Sequence, residues 1–143
     1  MNTDFPAAVI DTSFFISAIL NPYCSDEADK AMKFITDIIR ENGQLVVPQL
    51  FWFEIGNILL NASKPHKDGT PGRITESQLM VIEQNIAKLP IYTAPQPNSE
   101  ERLRIRALAS KENLTYYDAT YLELALRMNL PLKTLDKALE KKI

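Results

Sequence analysis

Four carboxylates stand where the sequence pattern changes direction. Asp11 directly follows the apolar run Ala7-Ala8-Val9-Ile10, and Glu54 interrupts the apolar segment Leu50-Phe51-Trp52-Phe53 and Ile55. Asp118 lies at the opening of a late helical pattern, and Asp136 follows the apolar stretch Leu130 to Leu135. Taken singly, an Asp at a strand end or in a first helical turn caps amides or answers the helix dipole. Glu54 fits that reading least, because a solvated charge is not expected inside an apolar run; it is expected to face a polar cavity, with Asn57 at i+3 on the same face. Taken together, two carboxylates about 5 Å apart repel by roughly 3 kcal/mol at an effective dielectric near 20. A stable domain tolerates such a group when protons or cations neutralise it. Oxygen-only ligands with no His or Cys partner select hard cations, Mg²⁺ or Mn²⁺. Such an ion can bridge a phosphodiester and activate water for in-line attack, so the residue types point to phosphoryl chemistry.

The elements that must position these acids are legible in the apolar periodicity. Ala7 to Ile10 reads as a buried strand, and Phe14 to Leu20 as a short helix stopped at Asn21-Pro22. Ser25-Asp26-Glu27 supplies cap chemistry for a second helix, in which Ala28, Ala31, Phe34, Ile35, Ile38 and Ile39 recur at helical spacing before Asn42-Gly43 closes it. Leu45-Val46-Val47 is a second strand, and Gln49 to Ala62 an apolar helix buried on more than one side. Ser63 to Gly72 reads as a mobile loop. Thr75 and Gln78 form the two halves of a capping box for a helix reaching about Lys88. Ile91-Tyr92-Thr93 is a third strand, followed by helices over Ser99 to Lys111 and Thr115 to Met128, with Asn113 at a left-handed stop. Leu130 to Leu135 is a fourth strand, and Lys137 to Lys141 a last helical turn. Short apolar strands alternating with helices predict an α/β fold with a parallel sheet covered on both faces. Crossover helices start from the carboxyl edge of such a sheet, so all four acids can converge on one rim.

Composition fits that reading. The 143 residues, 45% hydrophobic and 24% charged, are expected to form one soluble domain over residues 1–143. A net charge of −2 gives no global signal for nucleic acid. The most basic uninterrupted stretch is the loop carrying Lys64, Lys67 and Arg73, a candidate contact for an RNA backbone, and the single histidine, His66, reads as a solvated member of it. Arg102, Arg104 and Arg106 read as a solvated helix surface, and Trp52 and Phe53 as core. Cys24, alone, cannot form an internal disulfide, which fits a reducing cytosol. The start Met1 to Pro6 lacks a secretory signal, and Phe14 to Leu20 is too short to span a bilayer, so a cytoplasmic protein with no membrane partner is expected.

The segments VIDTSFFIS, PQLFWFEIGNILL and LTYYDATYLELALRMNLPLKTLDKAL cover the beginning, middle and end of the chain. In this order they resemble PIN-domain nucleases of the VapC toxin type. The most specific part is Tyr117-Asp118-Ala119, then Tyr121-Leu122-Glu123-Leu124-Ala125, then Thr134-Leu135-Asp136. The resemblance implies an α/β/α sandwich with about four strands in the order 3-2-1-4. It makes Asp11, Glu54, Asp118 and Asp136 the catalytic, metal-binding acids and places the hydroxyls of Thr12, Ser13 and Thr134 beside the metal or the phosphate. It further implies a Mg²⁺- or Mn²⁺-dependent endoribonuclease acting on RNA, a cognate antitoxin protein as partner, and a homodimer. Family members commonly continue past the last acid into another short strand, which this chain, ending at Ile143, is expected to lack.

Rival readings on a similar sheet need other residues. A receiver-like phosphoacceptor would carry adjacent acids after the first strand and a late lysine, where this sequence has Thr12 after Asp11 and Asp136 in the late position. A haloacid-dehalogenase-like phosphatase would carry an Asp two positions after Asp11, where Ser13 stands. A non-catalytic PIN-like module binding nucleic acid or protein is the remaining alternative, favoured if the four carboxylates fail to converge.

Overall fold

The computed structural model describes residues 5–20 and 25–143. The helix stop expected at Asn21-Pro22, the thiol of Cys24 and residues Met1 to Asp4 lie outside the described residues. Four strands, β1 (Ala7–Ile10), β2 (Gln44–Val47), β3 (Ile91–Thr93) and β4 (Leu132–Lys133), form one sheet in the order β3-β2-β1-β4. Every pairing is parallel, with Val9 opposite Val46 and Leu132, and Val46 opposite Tyr92. Seven helices are present among the described residues: α1 (Thr12–Leu20), α2 (Asp26–Arg40), α3 (Gln49–Ser63), α4 (Glu76–Ala87), α5 (Ser99–Glu112), α6 (Tyr116–Met128) and α7 (Lys137–Glu140). None is long and apolar enough to cross a membrane. The chain moves one way along the sheet from β1 to β3 and then reverses to reach β4, so right-handed crossovers place α1–α4 on one face and α5–α6 on the other. Packing agrees, since α1 meets α2 and α3, α3 meets α4, and α5 meets α6. The expected α/β architecture and strand order are therefore present.

Past Ala7 and Gln44, the central strands are wholly apolar because both faces are covered: Ala8, Val9, Ile10, Leu45, Val46 and Val47 are wholly buried. Phe15 of α1 and Phe51 of α3 meet edge to face at 5.2 Å and 76°. Each is fully buried and contributes roughly 1.5–3 kcal/mol by leaving water. That contact fixes the openings of α1 and α3 relative to each other, and these openings carry Thr12 and Glu54.

The caps act as the sequence predicts. Ser25 accepts from the Ala28 amide at 3.0 Å, and the reciprocal Thr75–Gln78 box has both bonds, at 2.9 and 3.1 Å. Asn113 closes α5 in the left-handed region at φ 52°. Two expectations change. The first helix begins at Thr12 rather than Phe14, because the Asp11 side chain caps it by accepting from the Phe14 amide at 3.0 Å. The fourth strand is two residues long rather than six. Pro131 has no amide for the ladder, although its carbonyl still accepts from Val9 at 2.9 Å, and from Thr134 onward the chain bonds to side chains instead. The Ser63–Gly72 loop carries turn bonds of its own, His66 amide to Thr70 carbonyl at 2.8 Å and Gly69 amide to His66 carbonyl at 3.0 Å.

The approach of the chain to β1 is sterically tight. A Cβ added at Gly43 would lie 2.3 Å from the Pro6 carbonyl oxygen, the acceptor that pairs with the Gln44 amide. Gly43→Ala must therefore displace backbone at the start of both central strands. We expect a loss of about 1–3 kcal/mol, read as a lower urea midpoint with an unchanged slope; unaltered stability would contradict the contact.

Candidate functional site

Each acid arrives at the carboxyl edge of the sheet by a separate route. Asp11 leaves β1, Asp136 follows β4, Glu54 lies in the second turn of α3 after β2, and Asp118 lies in the first turn of α6. A cavity of about 170 Å³ is lined by Asp11, Thr12, Ser13, Glu54, Asp118, Tyr121 and Asp136. All four predicted carboxyls thus face one space, together with Thr12 and Ser13. Thr134 does not line the cavity. It is buried behind Asp11 and donates a hydrogen bond to Asp11 Oδ2.

Asp11 is the most constrained acid. Its Oδ1 accepts from the Ser13 hydroxyl at 2.8 Å and the Phe14 amide at 3.0 Å, while Thr134 serves Oδ2. Burial nevertheless pushes its carboxyl above the ordinary range; these three bonds oppose the rise and the charge of Asp136 adds to it. Asp118 is raised as well, first by burial and then by Asp136, with smaller contributions from Asp11 and Glu54 and with Thr115 opposing. The charges of the other three acids thus all bear on Asp118. Asp136 also caps α7, its Oδ1 accepting from the amides of Ala138 and Leu139 at 2.9 and 3.2 Å.

Glu54 has two hydroxyl partners on one oxygen. Tyr121 donates to Oε1 at 2.6 Å and Thr12 at 3.0 Å, and the two hydroxyls are themselves 3.1 Å apart. Burial, and after it the bond to Glu54, raises the Tyr121 phenol well above its usual range, so it stays neutral and donating. The sequence reading gave Tyr121 no role. Its signal was present: a hydroxyl-bearing ring at i+3 from Asp118, on the same helical face.

The donor set suits a hard divalent cation in chemistry. It is oxygen-only, and it penalises its own negative charge at Asp11 and Asp118. It is not a closed ligand cage: among the described residues no three Asp, Glu, His or Cys side chains are gathered tightly enough to hold an ion. Protein hydrogen bonds occupy oxygens of Asp11, Glu54 and Asp136.

Other candidates lie elsewhere. Lys64, Lys67 and Arg73 do not line the cavity, and Lys64 is about 15 Å along the α3 axis from Glu54. His66 is exposed in that loop. Trp52 and Phe53, expected in the core, are 38% and 77% exposed, because α3 turns Phe51 and Ile55 inward instead. Arg104, expected in solvent, reaches the buried Glu123 at 3.5 Å, and Arg127 meets both Glu123 and Glu101 at 2.9 Å. This charge group ties α5 to α6 away from the cavity. The sequence reading missed Glu123, which looks like any other exposed acid in a helix.

The sequence profile of the PIN domain matches residues 8–142. No curated protein matches the chain at the level of sequence. Among solved structures, the chain is similar in fold to PAE2754 of Pyrobaculum aerophilum, with TM-score 0.61 and 22% identity over 98% of this chain and 86% of the other. It is also similar in fold to VapC20 of Mycobacterium tuberculosis, described as a toxin cleaving the sarcin-ricin loop, with TM-score 0.65 and 10% identity over 94% of each chain.

The raised Asp118 carboxyl has a consequence for stability. Ionised Asp118 is disfavoured in the folded state, so its contribution falls as pH rises from the ordinary Asp value of 3.8 through the higher folded value. Above that window the penalty is fully present. Asp118→Asn in excess chelator should therefore melt at a higher temperature than the wild type at pH 7, and the gap should close as pH falls below the ordinary carboxyl range. A lower melting temperature for the variant at pH 7 would show that the site does not strain its own charge.

Proposed function

The chain belongs to the PIN-domain family, and from that premise we propose that it is a Mg²⁺- or Mn²⁺-dependent endoribonuclease, the toxin of a toxin–antitoxin pair. The observation that carries the proposal is the single cavity lined by Asp11, Glu54, Asp118 and Asp136. The likeness in fold to VapC20, a toxin that cleaves an RNA loop, supports RNA as the substrate class.

In this reading Asp11, Asp118 and Asp136 hold the ion, and Glu54 completes the shell or orients water. A bound divalent ion supplies a Lewis acid for the scissile phosphate and a more acidic water. The protein supplies position. Asp11 is held on both oxygens by Ser13, the Phe14 amide and Thr134, and Asp136 is held by the first turn of α7. No histidine lines the cavity, so water activation does not depend on a side-chain base near neutrality. The cavity alone repels a polyanion, and a cation reverses its local sign. Lys64, Lys67 and Arg73 would then meet the RNA backbone at a distance from the cut.

Two partners belong to the same reading. Adjacent apolar hollows of about 460 and 240 Å³ share Ile19 and Ile82 and offer an antitoxin apolar surface to cover. The outer face of α3 presents Phe53 and Leu60, 77% and 51% exposed, beside Gly56, with no charge among them, which supports a homodimer through this helix. The second reading is a non-catalytic PIN-like module. The protein-facing hydrogen bonds on Asp11 and Asp136 and the lack of a closed ligand cage among the described residues favour it.

RNA cleavage by the purified protein separates the two. Activity should require Mg²⁺ or Mn²⁺ and vanish in excess EDTA. Asp11→Asn and Asp118→Asn should each lose more than about 100-fold, beyond the loss typical of residues that only support a metal ligand. Full activity in EDTA would overturn the metal mechanism, and no cleavage of any RNA under every metal condition would favour the binding module. For the dimer, Phe53→Arg with Leu60→Arg should shift sedimentation velocity to a monomer, whereas a wild type that is monomeric at high concentration removes this interface.

A further inference from the structure

Glu54 stands apart from the other acids in how it is held. Asp11 is bound on both oxygens, by Ser13 and the Phe14 amide in its own turn and by Thr134 from beyond β4, and Asp136 is bound by the helix it caps. Glu54 is fixed across the fold by Tyr121, 67 positions away in sequence, and Thr12, 42 positions away. Tyr121 is 2% exposed and Thr12 is 7% exposed, so water competes little for these bonds. Two hydroxyl protons serve three close oxygen–oxygen contacts. The 2.6 Å bond from Tyr121 to Glu54 is the short one, and the Thr12 proton can go to Glu54 at 3.0 Å or to the Tyr121 oxygen at 3.1 Å. Either choice leaves Tyr121 donating to Glu54, and donation from Thr12 to Tyr121 strengthens that bond.

Both donors act on Oε1, and among the described residues Oε2 receives no hydrogen bond from the protein. We propose that Tyr121 is a positioning residue that fixes Glu54 through Oε1 and so presents Oε2 as a single ready ligand oxygen for a divalent cation. A glutamate has several rotatable bonds, and holding it beforehand removes that ordering cost from ion binding. The ring of Tyr121 belongs to the core, while its hydroxyl belongs to the site. The same residue therefore ties the placement of Glu54 to the packing of α6 against β1.

The inference rests on the metal-dependent reading above, and the test separates the two. Mn²⁺ affinity is measured directly, by the electron paramagnetic resonance signal of free Mn²⁺, alongside melting temperature and RNA cleavage over a range of Mn²⁺. Tyr121→Phe keeps the ring and removes the donor. It should weaken Mn²⁺ binding by about 10–100-fold, as for loss of a group that orients a metal ligand. Saturating Mn²⁺ should restore turnover to within a few-fold of wild type. Thr12→Val should weaken binding in the same direction and less severely, and Thr12→Ser should restore it. A purely structural Tyr121 would lower melting temperature and turnover together without moving the Mn²⁺ midpoint. Folded Tyr121→Phe with wild-type Mn²⁺ affinity overturns the proposal; should that variant not fold, unchanged affinity in Thr12→Val overturns it. A wild type that binds no Mn²⁺ overturns the metal reading itself, and this inference with it.

Discussion

The bonds around Asp11 hold together the end of the sheet on which the site depends. One carboxyl caps α1 through the Phe14 amide, takes the Ser13 hydroxyl and receives Thr134 from beyond β4. Ser13 in turn accepts from the Leu135 amide at 3.1 Å, and Thr134 accepts from the Asp136 amide at 2.9 Å. A two-residue strand has few ladder bonds with which to hold its place, so side-chain bonds to β1 and α1 replace what the ladder omits. The position of Asp136 follows from that arrangement, because the chain between Thr134 and α7 is too short to wander. Placement of the last acid is thus a consequence of the first.

Concentrating carboxylates at one edge is costly, and the topology partly offsets the cost. Helices α1 and α3 follow β1 and β2 directly, and α6 opens at the same cavity through Asp118, so each of the three brings the positive end of its dipole toward the acids. The offset is incomplete, since Asp11 and Asp118 still resist ionisation. Fold and chemistry therefore pull in opposite directions at this edge, as expected where a local rule is broken for function.

The sequence carried the frame of the fold well because its signals are local. Ser25, Thr75 with Gln78, and Asn113 each act within a few residues of their own position, and the apolar strands need no partner to be recognised. It also carried the placement of the four acids at one edge, Asp11 and Asp136 after strands and Glu54 and Asp118 within the first two turns of helices, because these places follow from the alternation of elements. It failed where burial depends on which way a helix faces. Trp52 and Phe53 are as apolar as Phe51, and only packing against Phe15 decides which ring turns inward. It failed again where a polar partner comes from far along the chain, as for Tyr121 on Glu54 and Arg104 on Glu123. The length of β4 was misread for a related reason, because apolar character continues past the point where ladder bonding gives way to side chains.

The two outer strands, β3 and β4, are three and two residues long, while the central pair is buried past the first residue of each. The outermost strands of a sheet ordinarily offer unpaired amides and carbonyls on which a neighbouring chain can add a strand of its own. Here that exposed template is very short on both sides. The reliance of β4 on Asp11 and Thr134 for its place thus comes with protection against edge-to-edge aggregation.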